Sequence, residues 1–199
     1  MKCLVGKCGK EVTYFEITED NAVVPADCEI GELRQLFSYF QYRAPNIESV
    51  KSPMLDFSCH EDVLHEITKG RDEFCFCNQN AKTEEELSNL ALNGTKLCSW
   101  CKRFLCKRMN YSAKRDPSRR ETDLECLLRH LRNAIAHAHI FVIHSGNYIS
   151  LLLEDTNDKG NTTARIICCQ ADLKKWRAIL EKAIKEHSEN AEKSLISTH

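Results

Sequence analysis

Residues 122–138 constrain the fold of this chain more than any other stretch. Leu124, Leu127, Leu128, Leu131, Ala134, Ile135 and Ala138 recur at steps of three and four, the spacing of one apolar helix face. Thr122 with Glu125 forms a capping box at its start, in which each side chain satisfies the other residue's backbone N–H. The pattern then changes abruptly. Ile140-Phe141-Val142-Ile143 reads as a strand, Ser145-Gly146-Asn147 as a turn, and Tyr148 to Leu153 as a second strand. Asn157-Asp158-Lys159-Gly160 reads as another turn and Ala164 to Cys168 as a third strand. Leu173, Trp176, Ile179, Leu180, Ala183 and Ile184 return to the helical period, predicting a closing helix over 171–187.

Upstream, Ile30, Leu33, Leu36, Phe37 and Phe40 predict a helix near 29–42, and Val63 with Ile67 predicts another that closes near Gly70. A second capping box, Thr83 with Glu86, precedes Leu87, Leu90, Ala91, Leu97, Cys98, Cys101, Phe104 and Leu105. Those steps predict a long helix over about 84–109, whole or broken at Asn93-Gly94. Residues 110–121 read as a loop, 12–18 as a weak short strand, and 188–199 as a frayed polar tail. The expected fold is mainly α within an α+β class: a helical body, a small antiparallel meander and a C-terminal helix. The chain reads as one domain over 1–199, with 1–79 poorly assigned and 80–187 bearing the clear elements.

Composition narrows the function. Lys plus Arg is 28 against 29 for Asp plus Glu, a net charge of −1, which argues against a wholly basic nucleic-acid-binding tail and an acidic disordered chain. No apolar run approaches the roughly 18–20 residues that cross a membrane, and Met1 to Lys7 carries no apolar signal region. A soluble, cytoplasmic protein with no membrane partner is therefore expected. Its 12 cysteines are then reduced, serving as small buried hydrophobes or as metal ligands. Cys98-Ser99-Trp100-Cys101 with Cys75-Phe76-Cys77 could form a zinc site. The competing reading buries Cys98 and Cys101 on the apolar stripe of the helix over 84–109.

Chemistry concentrates on the capped helix. At 100° per residue, Cys126, His130, Asn133 and His137 fall in a wedge of about 60° opposite the leucine stripe, with Arg129 and Arg132 on its flank. The string Leu127-Leu128-Arg129-His130-Leu131-Arg132-Asn133-Ala134-Ile135-Ala136-His137 resembles the HEPN superfamily (higher eukaryotes and prokaryotes nucleotide-binding). That family's motif is Arg, a polar residue, then a few residues and His, on a late helix. Leu127 to Leu131 and the trailing meander resemble its plasmid- and defence-associated branch. The resemblance covers roughly residues 80–185 and leaves 1–79 unmatched.

The resemblance implies a HEPN-like helical bundle and a metal-independent endoribonuclease, of a toxin or antiviral-defence kind, needing no cofactor. It implies a homodimer in which two motif helices share a cleft, with RNA as substrate and an antitoxin or activator protein as a further partner. RNA carries its own nucleophile, the 2′-hydroxyl. The protein must move protons near neutral pH, which suits His137, and hold the growing phosphate charge, which suits Arg132. Asn133 orients the phosphate or the imidazole. The products would be a 2′,3′-cyclic phosphate and a 5′-hydroxyl. His130 is a candidate second proton carrier, phosphate ligand or dimer-cleft residue. His139 fits a looser motif spacing, though its place at the helix end suits capping. Arg129, Lys107, Arg108, Tyr111, Lys114, Arg115, Arg119 and Arg120 are the candidate RNA contacts, with Tyr111 available to stack on a base. They lie in or just before the motif helix, and the bland alternative is a solvated basic loop. Two other functions stay open: a non-catalytic HEPN-like dimeric module that binds a partner protein or nucleotide, and a zinc-binding regulatory protein.

Overall fold

The computed structural model describes residues 14–16, 19–45, 61–69, 73–77, 96–98, 103–107, 121–145, 148–160 and 162–196. Its elements in chain order are β1 (Tyr14–Glu16), α1 (Leu33–Tyr42), α2 (Glu61–Thr68), β2 (Glu73–Cys77), β3 (Lys96–Cys98), β4 (Arg103–Lys107), α3 (Asp123–Ala136), β5 (Ile140–Ser145), β6 (Tyr148–Thr156), β7 (Thr162–Cys169) and α4 (Gln170–Ile196). Two single 3-10 turns, Glu19–Asn21 and Pro25–Asp27, lie between β1 and α1. The protein is α+β and mainly helical, as the sequence indicates.

The meander β5-β6-β7 forms as expected, antiparallel throughout. It is larger than expected, because β4 pairs antiparallel with β7 and β2 pairs parallel with β4, giving the strand order β2-β4-β7-β6-β5. This corrects the long helix over 84–109: residues 103–107 are a strand inside the sheet, and 96–98 pair with β1 in a separate two-stranded sheet. Arg103-Phe104-Leu105-Cys106-Lys107 is a short apolar run, which periodicity alone cannot assign to helix or strand. Pairing on both edges decides it. The part of that expected helix over 84–95 lies outside the described residues.

Helix boundaries shift for identifiable reasons. Gly31 adopts φ +51°, a left-handed conformation that interrupts the helical pattern, so α1 begins at Leu33 rather than near 29. The closing helix passes 187 and runs to Ile196, a correction to the frayed tail. Its solvated side is bridged at i,i+4 by Arg177–Glu181 at 2.8 Å, Lys182–Glu186 at 3.6 Å and Lys185–Glu189 at 3.8 Å, the last pair crossing the expected end at 187. Such pairs add modest support to the helix on its exposed side.

One main core joins Leu33, Leu36, Phe37 and Phe40 of α1 to Leu127, Leu131 and Ile135 of α3. Leu151, Leu153, Ile166 and Cys168 of the sheet and Leu173, Trp176 and Leu180 of α4 complete it. α3 lies between layers, touching α1 and α2 as well as β4, β6 and β7. Among the described residues, Cys28, Cys126, Cys168 and Cys169 are buried and make no disulfide. No helix among the described residues is long and apolar enough to cross a membrane.

Candidate active site

Both ends of α3 are fixed locally. At the start, the Thr122 N–H donates to Glu125 Oε2 at 2.8 Å and the Glu125 N–H donates to Thr122 Oγ1 at 3.3 Å, the capping box read from the sequence. At the end, the Ala138 N–H reaches Ile135 O at 3.2 Å and the His139 N–H reaches Ala134 O at 2.9 Å, a Schellman closure. That closure turns Ala138 to φ 55°. The Glu154 N–H then donates to the His139 carbonyl at 3.0 Å, tying the end of α3 to β6. His137 is the C-cap residue, and its ring lies 6.2 Å from that of His139 between centroids. The helix end thus brings two imidazoles together, and backbone N–H groups do the capping expected of His139.

Burial divides α3 sharply. Every residue from Leu124 to Leu131 is buried. Arg132 and Asn133 are half-buried, while Ala136 and His137 are exposed. These four occupy adjacent positions on one side of the helix. The residues read as the Arg–polar–His motif therefore coincide with the opening of a helix that is otherwise enclosed.

The enclosed half carries charge, and the charge is paired. Arg129 Nε and Nη2 donate to Glu121 Oε1 at 2.6 Å and Oε2 at 3.0 Å, a bidentate fork. Burial works against the guanidinium charge, but the hydrogen bonds and charge of Glu121 win and hold its pKa above the ordinary value. His130 is 1 % exposed, with Nδ1 2.6 Å from Asp155 Oδ2 and Nε2 3.1 Å from Arg129 Nη2. Burial disfavours the charged ring and Arg129 opposes it further, yet Asp155 and Cys126 together outweigh them and raise the His130 pKa. Asn133 Nδ2 donates to the same Asp155 Oδ2 at 3.2 Å. One chain of contacts therefore runs Glu121–Arg129–His130–Asp155–Asn133, from the buried half to the open wedge.

This geometry changes the reading of two residues. The sequence places Arg129 on a flank open to RNA; the structure buries it against Glu121. His130 is offered as a second proton carrier, phosphate ligand or cleft residue; protein groups meet both its ring nitrogens, inside the core. The causes differ: Glu121, just before the N-cap, takes the Arg129 fork, and Asp155 of β6 meets the His130 ring. Asp155 and Glu121 were not among the sequence candidates. Asp155 follows Leu151 and Leu153 at period two, so an acid on the inward register of β6 was a legible signal. Glu121 precedes the N-cap, and nothing in the spacing marks it.

The remaining candidates are placed only in part. Lys107 ends β4. Arg108, Tyr111, Lys114, Arg115, Arg119 and Arg120 lie outside the described residues, as does Cys101. Cys75 and Cys77 are on β2, an edge strand of the large sheet, and Cys98 is on β3 of the small one. The helical stripe invoked to bury Cys98 is absent there. Among the described residues, no group of three or more His, Cys, Asp or Glu side chains is placed to hold a metal ion.

Comparison with known proteins adds one result. No curated protein and no solved structure matches the chain. The family model described as HEPN pEK499 p136 matches residues 62–191, about two-thirds of the chain. The match starts earlier than the resemblance read from the sequence and takes in α2, all of α3 and the meander, and most of α4. The chain belongs to the HEPN pEK499 p136 family.

Proposed function

We propose that this protein is a metal-independent endoribonuclease acting as a homodimer, of a toxin or antiviral-defence kind. One observation carries the reading. Beyond its first turn, α3 is open to solvent only where Arg132, Asn133, Ala136 and His137 lie. The chemistry follows from the residue types. The ribose 2′-oxygen attacks phosphorus, a P–O2′ bond forms and the P–O5′ bond breaks. A base takes the 2′-hydroxyl proton and an acid returns one to the 5′-oxygen. His137, exposed at the helix end, is the proton-transfer group. Arg132, one position from Asn133, supplies fixed charge and a donor fork for the phosphate.

The two proton transfers occur at oxygens on opposite sides of the phosphorus, and a second copy of the wedge supplies the second imidazole. His139, beside His137 in the same chain, is the competing source. The test is a panel of labelled RNAs incubated with wild type and with His137→Ala, His139→Ala and Arg132→Ala, with and without EDTA. Cleavage that leaves 2′,3′-cyclic phosphate ends and survives EDTA is expected, with loss in His137→Ala and Arg132→Ala. Loss of equal size in His139→Ala would place both imidazoles in one chain. Sedimentation at micromolar concentration should show a dimer. A strict monomer contradicts the shared cleft, and intact RNA in every lane contradicts the enzyme and favours a binding module.

A further inference from the structure

Asp155 belongs to no Arg–polar–His motif, yet it touches the polar residue of this one. We propose that Asp155 is a positioning residue that fixes the Asn133 amide with its oxygen toward the open wedge, where that oxygen accepts the hydrogen of a ribose 2′-hydroxyl. The inference rests on the ribonuclease reading and assigns which group on RNA Asn133 recognises.

The argument is one of donors and acceptors. A primary amide donates from nitrogen and accepts at oxygen, and the two ends point apart. An ionised carboxylate only accepts. Asp155 is buried on β6, and His130 holds its carboxylate from the enclosed side, so it is not free to follow the amide. Its Oδ2 meets His130 Nδ1 at 2.6 Å and Asn133 Nδ2 at 3.2 Å. Turning the amide over would set two acceptors against each other in a buried place, which is costly. The nitrogen of Asn133 therefore faces inward and its oxygen faces out.

That orientation sets aside one of the two roles the sequence leaves open, holding the phosphate. A phosphodiester oxygen is an acceptor, so Asn133 Oδ1 does not hold it; Arg132, which only donates, does. The groups that match Oδ1 are donors, and the donor RNA has and DNA lacks at the reacting carbon is the 2′-hydroxyl. His137 follows Asn133 at i,i+4, on the same side of the helix, so the hydroxyl docked on Oδ1 lies beside the imidazole, and rotation about the C2′–O2′ bond turns its single hydrogen from Oδ1 to the imidazole that takes it. Asp155 thus discriminates RNA from DNA without touching either.

The experiment measures equilibrium binding in a His137→Ala background, after wild-type products have located the cleaved bond. Two oligonucleotides are compared: RNA, and the same strand with 2′-deoxyribose at that position only. The expected ribo-to-deoxy affinity ratio is about tenfold, the worth of one good hydrogen bond. Adding Asn133→Leu or Asp155→Ala should bring the ratio to about one while the far-ultraviolet dichroism stays native. If Asp155→Ala does not fold, the exchange Asn133→Asp with Asp155→Asn decides: nitrogen now faces outward from position 155 to 133, an acceptor again faces the wedge, and the ratio should return. A purely structural Asp155 would weaken both strands alike and leave the ratio at its starting value, overturning the inference. A wild type that cleaves RNA, with no ratio in the His137→Ala background, overturns the inference alone, whereas a wild type that cleaves none removes the ribonuclease reading with it.

Discussion

The first half and the last turn of α3 share one helix and one row of polar side chains, and they meet opposite fates. Arg129 and His130 are enclosed and partnered within the protein. Arg132, Asn133 and His137 stand on the side that opens toward solvent. The difference does not arise in the helix. It arises in the partners: Glu121, before the N-cap, closes over Arg129, and Asp155 of β6 closes over His130 and reaches Asn133, while β6 meets the helix end at the bond from the Glu154 N–H to the His139 carbonyl. The same wedge of polar residues can therefore be core in one turn and face solvent in the next. A helical wheel assigns residues to a face, while the partners around it decide what that face becomes.

The comparison separates stability from rate, and variants can break or sharpen it. The largest expected stability effect is at the buried end. Glu121→Ala leaves the Arg129 charge enclosed and unpaired, a loss of about 3–5 kcal/mol that urea unfolding will measure. A loss below about 1 kcal/mol, the range of exposed pairs, would mean that the pair is wet and the halves are alike. His130→Ala should cost about 1–3 kcal/mol, because it removes a donor from buried Asp155.

The pH dependence follows from the same contact. His130 has a raised pKa in the folded state, so the stability it contributes is full below the unfolded value of about 6.5 and fades as pH rises through the folded value. Urea midpoints of wild type should fall from about pH 6 toward about pH 9, and His130→Ala should flatten that fall. An unchanged slope in the variant would sink the assignment to His130. The smallest effect belongs to the junction. Ala138 holds φ 55°, which an L-residue adopts at a cost, so Ala138→Gly should stabilise the protein by up to about 1 kcal/mol after the extra chain entropy of glycine. A thermal melt with the variant below wild type would show that the left-handed turn carries no strain.

Much of this architecture was legible, because the relevant forces are local. Thr122 and Glu125 satisfy each other, and the leucine stripe and the meander have periods that only one element each can use. What stayed hidden depends on distant partners. Residues 103–107 are a strand because β2 and β7 flank them, not because their own pattern demands it. The solvent-facing half of the polar row on α3 was legible as the string Arg132 to His137. The buried half was not, since Glu121 and Asp155 come from outside the helix and their pairing with Arg129 and His130 needs the sheet in place. Asp155 alone announced itself, as an acid in register with Leu151 and Leu153.

The account's central claim is that the open turn of α3 performs chemistry while the enclosed half holds the fold. It is tested most directly by measuring RNA cleavage and urea unfolding on the same preparations of wild type, Arg132→Ala and His137→Ala. Losing a proton-transfer group typically lowers a rate by about 10²–10⁴-fold, whereas surface changes away from special contacts usually cost within about 0.5 kcal/mol. The expected result is that cleavage falls by that factor in His137→Ala, and steeply in Arg132→Ala, with unfolding midpoints close to wild type and EDTA without effect. Full cleavage by His137→Ala, or activity that disappears only with chelator, would contradict the claim.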